Sequence, residues 1–578
     1  MVPVRYGRVA TIRSVDMSGL MPLVAVLRRA AIGIDRIYLN HVLVGVVFVI
    51  VLLEATRRST GMIMPIVALG FLAYAYFGPY LPQPWTHRGY DFERLTGHLY
   101  MTLEGIFGVA VDVSSSLIIL FTIYGAFLQQ SGAGKFFIDF AFAALGGKRS
   151  AAGRSVVLAS FLMGGPSGSG VATTVAIGSV AYPMLKKAGF TPNAAGGLLA
   201  AGGLGAILSP PVLGAAAFLI AEFLKISYFD VILMATIPTV LYYFGILVMV
   251  ELEAAKSGGS DVPGVPKGTA LRLARGYWFH FLSLISIIVF MLMGFSAERS
   301  VLWATGLSLA TSFLRRDTAL YPPKVLKALA DGTIGVLNAA TTCASAGIIV
   351  GVVTLTGLGL KFSSIAIDYA GGSLLLTAIY TALIVWIIGL AVPVTASYII
   401  CAVIAAPALT KLGVPDYAAH MFIFYYAVLS EVSPPTALSP FAAAAITGGS
   451  PYRTTLQSWK YTMPAFLLPF VFVLDPIGTG LLLKGSWLDI ATITGLTAAG
   501  VGVLAFAAQG RILRRSNWVE TLALTFAGLL LIFPRLIDGI TSTLLNATIP
   551  YKMVLGAAIA LAVAGVQWLS LSRREAAS

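Results

Sequence analysis

The sequence predicts an all-α polytopic membrane protein, and three properties of the chain indicate this fold class. Hydrophobic residues make up 58% of the 578 positions and charged residues only 11%, whereas a soluble domain is roughly a quarter charged. The runs 40–56, 231–250 and 373–391 approach or reach the ~20 apolar residues that cross a bilayer as a helix. These runs are continuously apolar and do not alternate, which excludes a closed β-barrel.

The charged and metal-ligating residues exclude several other classes. The formal net charge of +14 comes from basic residues in short loops, for example at 186–187 and 315–316, which is the positive-inside pattern of membrane proteins. No basic stripe is interleaved with aromatic residues, so nucleic-acid binding is not expected. Cys343 and Cys401 lie in apolar runs and the histidines are scattered, so neither a disulfide scaffold nor a metal centre is predicted.

The apolar runs divide the chain into four regions. Residues 1–39 form a basic tail with a predicted surface helix near 20–37, and 40–114 and 481–578 hold uninterrupted runs. In 115–480, Gly, Pro, Ser and Thr cut several runs. Together the segments predict about a dozen or more transmembrane helices. Uninterrupted spans are expected near 40–56, 62–80, 115–130, 230–250, 277–295, 299–314, 333–355, 461–478, 490–508, 519–534 and 553–571.

The two interrupted regions match each other at a constant offset of 224 residues. The matched pairs are Pro183 and Pro407, Lys187 and Lys411, Gly189 and Gly413, Thr173 and Ser397, and Ser209-Pro210-Pro211 and Ser433-Pro434-Pro435. Each unit is therefore predicted to be a reentrant hairpin, a basic turn and a helix broken at Ser-Pro-Pro. The predicted hairpins lie near 155–187 and 390–412, and the broken helices at 194–221 and 416–446.

Paired interruptions at corresponding positions of two halves are typical of a transporter binding site. Proline lacks an N–H and clashes with the preceding turn, so the carbonyls of 205–208 and 429–432 are expected to lose their helical partners and to face a cation. Hairpin tips and half-helix N-termini present N–H groups to an anion. The alternative is two chance proline kinks in a glycine-rich membrane protein, which the constant offset disfavours.

The predicted ion- and substrate-binding residues lie at the hairpin tips and helix breaks. Their hydroxyls and bare backbone suit sodium or a carboxylate, although any one serine is equally explained by helix packing. Glu431 lies inside the second broken helix, where burying a charge in the membrane costs ~2.5–3.5 kcal/mol. We hypothesise that Glu431 binds a cation or carries a proton. The alternative is that it lies near the membrane interface with access to water. No lysine or arginine faces the anion in either unit, so binding would rest on N–H groups, hydroxyls and co-bound cations. The full set is Ser167, Gly168, Ser169, Thr173, Thr174, Ser209 and Pro210, then Pro393, Thr395, Ser397, Glu431, Ser433, Pro434 and Thr436.

The chain resembles a known transporter family in several long stretches that occur in order. They are GGPSGSGVATTVAIGS, SPPVLGAAAFLIAEFL and PALTKLGVPDYAAHMFIFYYAVLSEVSPPTALSPFAAAAITG, and the similarity runs from about Ile34 to Pro534. They resemble the fused membrane subunits of tripartite ATP-independent periplasmic (TRAP) transporters, TAXI type. The resemblance implies a sodium-coupled symporter of the inner membrane, not an enzyme, with no cofactor besides the coupling ion. It would receive a small organic acid, such as a C4-dicarboxylate, or an amino acid from a periplasmic solute-binding protein.

The resemblance also implies a division of labour along the chain. Residues 115–480 would match the large subunit, an elevator-type transport region with inverted repeats, and 40–114 a small-subunit-like scaffold, while 481–578 add further transmembrane helices. The family normally has additional helices before the segment that matches 34–56, so the small-subunit region is expected to be truncated. The stretch GGLGAILSPP lacks a glutamine expected shortly before the prolines, so the first ion site is expected to be altered.

Three other functions compete with sodium-coupled symport. A proton-coupled transporter and a transporter that needs no binding protein are the nearest alternatives. A channel is a third, because reentrant hairpins also build selectivity filters. An enzyme is disfavoured because the apolar segments hold no paired carboxylates, histidine cluster or Ser/Lys nucleophile arrangement. The sequence leaves the solute, the ion stoichiometry, the oligomeric state and the orientation of the N-terminus open.

Overall fold

The computed structural model describes residues 42–145, 150–167, 169–257, 266, 268–534, 537 and 552–577. The described chain is helical, apart from turns and one isolated bridge between Arg511 and Arg515. The predicted all-α fold is therefore confirmed. The tail over 1–39, with its predicted surface helix, lies outside the described residues.

The first helices precede the repeat units. The helix Ile63–Phe77 is followed by the 3₁₀ turn Gly78–Tyr80. The helix Val109–Gln130 contains a π-helical segment, Ser114–Ile118. The helices are α1 (42–60), α2 (Ile63–Phe77), α3 (Phe92–Met101), α4 (Val109–Gln130) and α5 (Ala133–Leu145).

The first repeat unit consists of α6 (Ala151–Ser167), α7 (Gly170–Lys187), α8 (Pro192–Leu208) and α9 (Ala216–Leu224). Ser169 begins α7 because its side chain accepts a hydrogen bond from the amide of Ala172. Thr191 caps α8 in the same way, and Pro192 stands at its first turn, where no N–H is needed. Pro210 ends α8, since proline cannot donate the next helical hydrogen bond.

A run of longer helices links the two units. The helices Tyr228–Ser257 and Pro322–Thr356 are long enough and apolar enough to cross a membrane. The helices Thr269–Tyr277 and Phe279–Leu292 form one candidate span bent by 59°. These helices are α10 (Tyr228–Ser257), α11 (Thr269–Tyr277), α12 (Phe279–Leu292), α13 (Ala297–Ser312), α14 (Pro322–Thr356) and α15 (Leu358–Tyr369).

The second unit repeats the order of the first. Its helices are α16 (Leu374–Gly389), α17 (Val394–Ile404), α18 (Ala406–Thr410), α19 (Asp416–Leu429) and α20 (Leu438–Thr447), with a 3₁₀ turn at Ser430–Val432. Gly413 at φ 90° and Gly189 at φ 88° occupy the same point of the two units, where the chain reverses after the hairpin. The Pro210–Pro211 and Pro434–Pro435 peptide bonds are both cis.

Four helices follow the second unit: α21 (Pro451–Leu474), α22 (Trp487–Gln509), α23 (Trp518–Ile532) and α24 (Lys552–Ala577), with a 3₁₀ segment at Pro476–Leu482. Gln567 holds α24 against the segment that precedes α23 and the start of α23. Its buried side chain accepts hydrogen bonds from the Leu513 and Arg514 amides and donates to Glu520. Much of the rest of α24 is apolar and exposed, for example at Leu561 and Trp568, as expected for a helix that faces lipid.

Six described helices are long and apolar enough to span a membrane, or seven with the bent pair, which confirms a polytopic membrane protein. The number of long spans is below the dozen that the sequence predicts. Six further apolar helices are only 10–17 residues long, among them Pro192–Leu208 and Val394–Ile404. Several of the short helices belong to the repeat units, where proline, glycine and the hairpin turns divide the apolar runs.

The helix α8 lies at the centre of the packed core. Every residue from Ala194 to Leu208 is buried, and α8 packs against α6, α7, α20 and α21. Its glycines allow this approach, since an added Cβ at Gly203 would overlap the Thr174 hydroxyl and the Gly170 carbonyl. Cys343 and Cys401 are buried and free, as expected for small core residues.

Candidate functional site

A cavity of about 840 Å³ lies where the two repeat units meet. The start of α7 and the break after α8 line it from the first unit. The turn before α17 and the break after α19 line it from the second. Residues of α4, α14 and the end of α1 form the opposite wall.

Equivalent positions of the two units line the cavity in pairs. At the offset of 224 residues, six pairs contribute to the lining: Ser169 and Pro393, Gly170 and Val394, Val171 and Thr395, Ile207 and Glu431, Val212 and Thr436, and Gly214 and Leu438. The sequence repeat thus corresponds to a repeated position in space. Five of the predicted site residues belong to these pairs: Ser169, Pro393, Thr395, Glu431 and Thr436.

Other predicted site residues lie in the helix packing and do not line this cavity. Thr173 Oγ1 donates to the Ser169 carbonyl at 2.9 Å, and Thr174 Oγ1 to the Leu199 carbonyl at 3.3 Å. Ser397 Oγ donates to the Val385 carbonyl at 3.3 Å. Ser209, Pro210, Ser433 and Pro434 form the breaks themselves, outside the lining. The side chain of Ser167 and all of Gly168 lie outside the described residues.

The serines of the two breaks make the same pair of hydrogen bonds. Ser209 Oγ donates to the Gly205 carbonyl at 2.7 Å and lies 3.1 Å from the Tyr243 hydroxyl. Ser433 Oγ donates to the Leu429 carbonyl at 2.8 Å and accepts from Trp386 Nε1 at 2.8 Å. Each serine therefore satisfies a carbonyl that the break leaves without its helical N–H.

The carbonyls before the prolines accept hydrogen bonds from groups outside their own helices. The Ile207 carbonyl accepts from the Gly214 amide at 2.8 Å, and the Leu208 carbonyl from Thr239 Oγ1 at 2.6 Å. In the second unit, the Val432 carbonyl accepts from Trp459 Nε1 at 3.0 Å. Buried carbonyls are costly when unpaired, so neighbouring helices supply donors in place of the missing amides. A carbonyl that accepts one bond keeps a second lone pair for an ion.

Glu431 connects the two units across the cavity. It is only partly buried, but its Oε2 atom is buried and has no hydrogen-bond partner among the residues that the structure describes. A Cβ added at Gly170 would lie 2.7 Å from that oxygen, so the carboxylate in its present position lies directly against the glycine. The Val171 amide and the Ser439 hydroxyl face the same carboxylate. A negative charge at the N-terminus of α7 is electrostatically favourable.

The opposite wall carries polar residues that the sequence reasoning missed. Asp331, Asn338 and Thr342 of α14 line the cavity. Gln130 Nε2 donates to Asp331 Oδ2 at 2.9 Å, whereas the buried Thr342 hydroxyl makes no hydrogen bond to a described residue. Residues seven and eleven positions apart share one face of a helix, so this spacing within an apolar segment is a signal that could have identified them.

Hydrogen bonds between hydroxyls hold α14 against α1. Thr56 Oγ1 lies 2.7 Å from Ser345 Oγ, and Ser59 Oγ lies 2.6 Å from Thr341 Oγ1. Such small polar residues allow close contact between membrane helices. The wall also packs against the second unit, because α14 contacts α17.

The described lining contains two charged side chains, Asp331 and Glu431, and neither lysine, arginine nor histidine. Asp331 is solvent-exposed, and Glu431 lies on the buried side. The other lining residues are apolar residues, glycines and residues whose side chains carry a hydroxyl or an amide. The cavity thus offers carboxylates to cations, and hydroxyls and helix N-termini to anions.

Two repeated, interrupted units around a shared cavity are typical of a membrane transporter. Residues 47–476 match the family described as tripartite ATP-independent periplasmic transporter, DctM component, so the chain belongs to this family. It is accordingly a multi-pass protein of the inner membrane.

Curated relatives are large permease proteins of the same transporters. The chain is 25% identical over 375 residues to the 2,3-diketo-L-gulonate TRAP transporter large permease protein YiaN of Escherichia coli (strain K12), covering 62% of this chain and 84% of that protein. It is 24% identical over 359 residues to the C4-dicarboxylate TRAP transporter large permease protein DctM of Pseudomonas aeruginosa, covering 61% and 82%. These relatives are permeases, in agreement with a function other than catalysis.

The family predicted from the sequence motifs is therefore confirmed. The matched region begins at residue 47, within the segment 40–114 assigned to a small-subunit-like scaffold, and ends at 476. That scaffold assignment, the fusion of two subunits and the TAXI type stay predictions. The helices α22 to α24 lie beyond the matched region.

Proposed function

We propose that this permease is a sodium-coupled symporter that imports a small organic acid or amino acid delivered by a periplasmic solute-binding protein. The observation that supports it most is the cavity lined by equivalent positions of both repeat units. Binding at the interface of two repeats, between interrupted helices, suits alternating access. The hydroxyls of Ser169, Thr395 and Thr436 and the carboxylate of Glu431 are ligands suited to a hard cation.

The names of the relatives support the proposed solute class. One transports 2,3-diketo-L-gulonate and the other C4-dicarboxylates, according to their names. Both are small organic acids, which is also the class that helix N-termini and hydroxyls accommodate. We extend this class to the present chain as part of the proposal.

The form of alternating access that we propose is an elevator movement, as the resemblance to the family implies. The repeat units pack around the buried helix α8, while α1 and α14 hold each other through their own hydrogen bonds. The cavity lies between the repeat units and this pair of helices, although α14 also contacts α17. A movement of the repeat units along the wall would carry a bound solute with them.

The test is uptake by proteoliposomes that contain the full-length permease. Labelled succinate and labelled glutamate represent an organic dianion and an amino acid, each supplied with a binding protein loaded with that solute. We expect saturable uptake that requires an inward sodium gradient and the binding protein. Uptake that continues at full rate without both would overturn tripartite symport, and solute-independent single-channel currents would indicate a channel.

Proton coupling is a second candidate, because Glu431 places a buried carboxylate oxygen beside the cavity. In this case Glu431→Gln would abolish uptake driven by a proton gradient without sodium. The matched control is Glu222→Gln, which changes an exposed carboxylate of α9 that pairs with Lys225 and does not line the cavity. Sodium-driven uptake that is unaffected by Glu431→Gln would exclude both coupling roles for this residue.

A further inference from the structure

The loop that joins α22 to α23 places two arginines opposite each other. Arg511 and Arg515 form an isolated antiparallel bridge, and the Ser516 amide donates to the Gly510 carbonyl at 2.8 Å, which closes the turn. Residues directly opposite in an antiparallel pair have side chains on the same face, with Cβ atoms roughly 5 Å apart. Like charges in this arrangement repel each other. The loop therefore holds two positive charges together at a cost to the folded protein.

A third arginine of the same loop differs because it has an acidic partner. Arg514 faces Glu520, with Nη2 2.7 Å from Oε1 and Nη1 3.3 Å from Oε2. Arg511 instead donates to the carbonyl of Ala255 in the last turn of α10, at 3.2 Å. Within the described residues, neither Arg511 nor Arg515 forms an ion pair. The repulsion between these two arginines is thus left without compensation by the chain.

The carboxylates near the end of α10 already face basic side chains. Glu251 pairs with Arg154. Glu253 lies 3.6 Å from Lys460 and 4.0 Å from Lys256. Because these contacts occupy the acidic groups beside the carbonyl that Arg511 contacts, the positive charge of the arginine pair remains for an anion from outside the chain.

The surroundings of the loop indicate that this anion belongs to the membrane. Trp518, the first residue of α23, and Trp568 of α24 are 75% and 60% exposed. Trp568 follows Gln567, whose side chain accepts hydrogen bonds from the Leu513 and Arg514 amides, so both tryptophans lie at the level of the loop. Exposed tryptophans are enriched where the bilayer meets water, and basic loops on its cytoplasmic side. The anionic lipid headgroups of that side lie at the same depth.

We propose that Arg511 and Arg515 together bind the phosphate of an anionic phospholipid, with its acyl chains in the surrounding bilayer. Guanidinium groups match phosphate oxygens through paired hydrogen bonds. The bound phosphate offsets the repulsion within the arginine pair, because both guanidinium groups are attracted to it. The site lies beyond residue 476, where the match to the permease family ends, and it does not depend on the proposed transport function.

The first experiment compares lipid binding by the purified full-length protein and by variants that remove positive charge. The probe is fluorescent phosphatidylglycerol in detergent micelles, and fluorescent phosphatidylcholine, whose headgroup has no net charge, measures general association with lipid. We expect Arg511→Gln/Arg515→Gln to weaken phosphatidylglycerol binding about thirtyfold, since each basic residue near an anionic headgroup contributes a factor of roughly five. The control is Arg316→Gln, which changes an exposed arginine of another basic loop and should leave binding unchanged.

Two results of this comparison would overturn the proposal. The first is equal binding by the double variant and the wild type. The second is an equal loss in Arg316→Gln, which would indicate general attraction of the lipid to basic loops. Inorganic phosphate tests the source of the anion. We expect unlabelled phosphatidylglycerol to displace the probe far more effectively than phosphate does, and equally effective displacement by phosphate would show a site for a free anion and contradict lipid binding.

Thermal unfolding provides a second measure that a merely structural role of the arginines would not share. Arg515→Gln removes one of the two facing charges and keeps the hydrogen bond between Arg511 and Ala255. In detergent without lipid, we expect this variant to be at least as stable as the wild type. Added phosphatidylglycerol should stabilise it less than it stabilises the wild type. Equal stabilisation of the two proteins would contradict the proposal, and the single variant allows this test even if the double variant does not fold.

Discussion

The two repeat units share a backbone design but differ in what they present to the cavity. Ser209 and Ser433 each donate to the carbonyl four residues earlier and each contact an aromatic polar group from a neighbouring helix. At the cavity, however, Val171 and Ile207 of the first unit correspond to Thr395 and Glu431 of the second. The two units thus share the hydrogen bonds of the helix break, whereas most of the polar side chains at the paired lining positions belong to the second unit.

In the first unit, Ser169 is the one polar side chain among the paired lining residues, and its hydrogen bonding explains its role. Ser169 lines the cavity, but its side chain accepts a hydrogen bond from the Ala172 amide and caps α7. Its counterpart, Pro393, starts α17 without a side-chain cap. The first unit therefore uses this hydroxyl to cap the start of a helix, and the second unit leaves the N-terminus of its helix open to the cavity.

The largest expected effect comes from the close contact of α7 with α8. Gly203 corresponds to Ala427 of the second unit, so Gly203→Ala introduces the second unit's residue into the first. We expect a loss of about 3 kcal/mol in unfolding free energy or failure to fold, because the new Cβ would overlap the Gly170 carbonyl. Thermal unfolding of purified protein measures it. In the control, Gly495→Ala, no atom lies within 4 Å of the added Cβ, and equal stability of the two variants would contradict this reading.

Exchanging the residues at the cavity tests whether the carboxylate must belong to the second unit. The double variant Ile207→Glu/Glu431→Ile keeps one carboxylate but moves it to the first unit. We expect solute uptake to fall at least about tenfold, or ~1.4 kcal/mol, because Glu431 loses its place at the start of α7. Uptake by the exchanged protein at the normal rate would show that the two units are interchangeable at this position.

The serines of the breaks are expected to contribute equally to stability. Ser209→Ala and Ser433→Ala each leave a buried carbonyl without a donor, which costs about 1–2 kcal/mol. Tyr243→Phe and Trp386→Phe remove the second partner of each serine and should cost less, since the serine-to-carbonyl bond remains. Chemical unfolding in detergent measures the four values. A loss of uptake far beyond the loss of stability, in one serine variant alone, would assign that serine to the ion site.

The smallest effect on stability is expected at the wall that the repeat units face. Thr342→Val replaces a hydroxyl that makes no hydrogen bond, so unfolding free energy should change by less than about 0.5 kcal/mol. Thr377→Val is the control, because the Thr377 hydroxyl donates to the Ser373 carbonyl and its loss should cost about 1 kcal/mol. Solute binding should nevertheless weaken severalfold in Thr342→Val. Unchanged binding would remove Thr342 from the site.

Much of the fold could be predicted from composition and from the spacing of proline and glycine. The breaks at Ser209 and Ser433 follow from proline alone, and the offset of 224 residues identifies the second unit from the first. The predicted site was less complete. Asp331, Asn338 and Thr342 lie on α14, outside both repeat units, and no local interruption marks them.

The roles of individual hydroxyls could not be read from the sequence for a related reason. Thr395 and Thr436 line the cavity, while Thr174 and Ser397 donate to helix carbonyls. All four lie in similar Gly- and Ala-rich surroundings. Whether a hydroxyl faces a cavity or a carbonyl depends on which helix packs beside it.

The sequence by itself determines that this chain is a helical membrane protein with two interrupted units, because the bilayer demands apolar spans and proline cannot continue a helix. Only the tertiary structure decides where the freed carbonyls find donors and which side chains share the cavity. Thr239 and Trp459 reach the two breaks from α10 and α21, and Gly170 meets Glu431 although 261 positions separate them in the chain. Such contacts depend on the packing of helices remote in sequence, which local propensity does not encode.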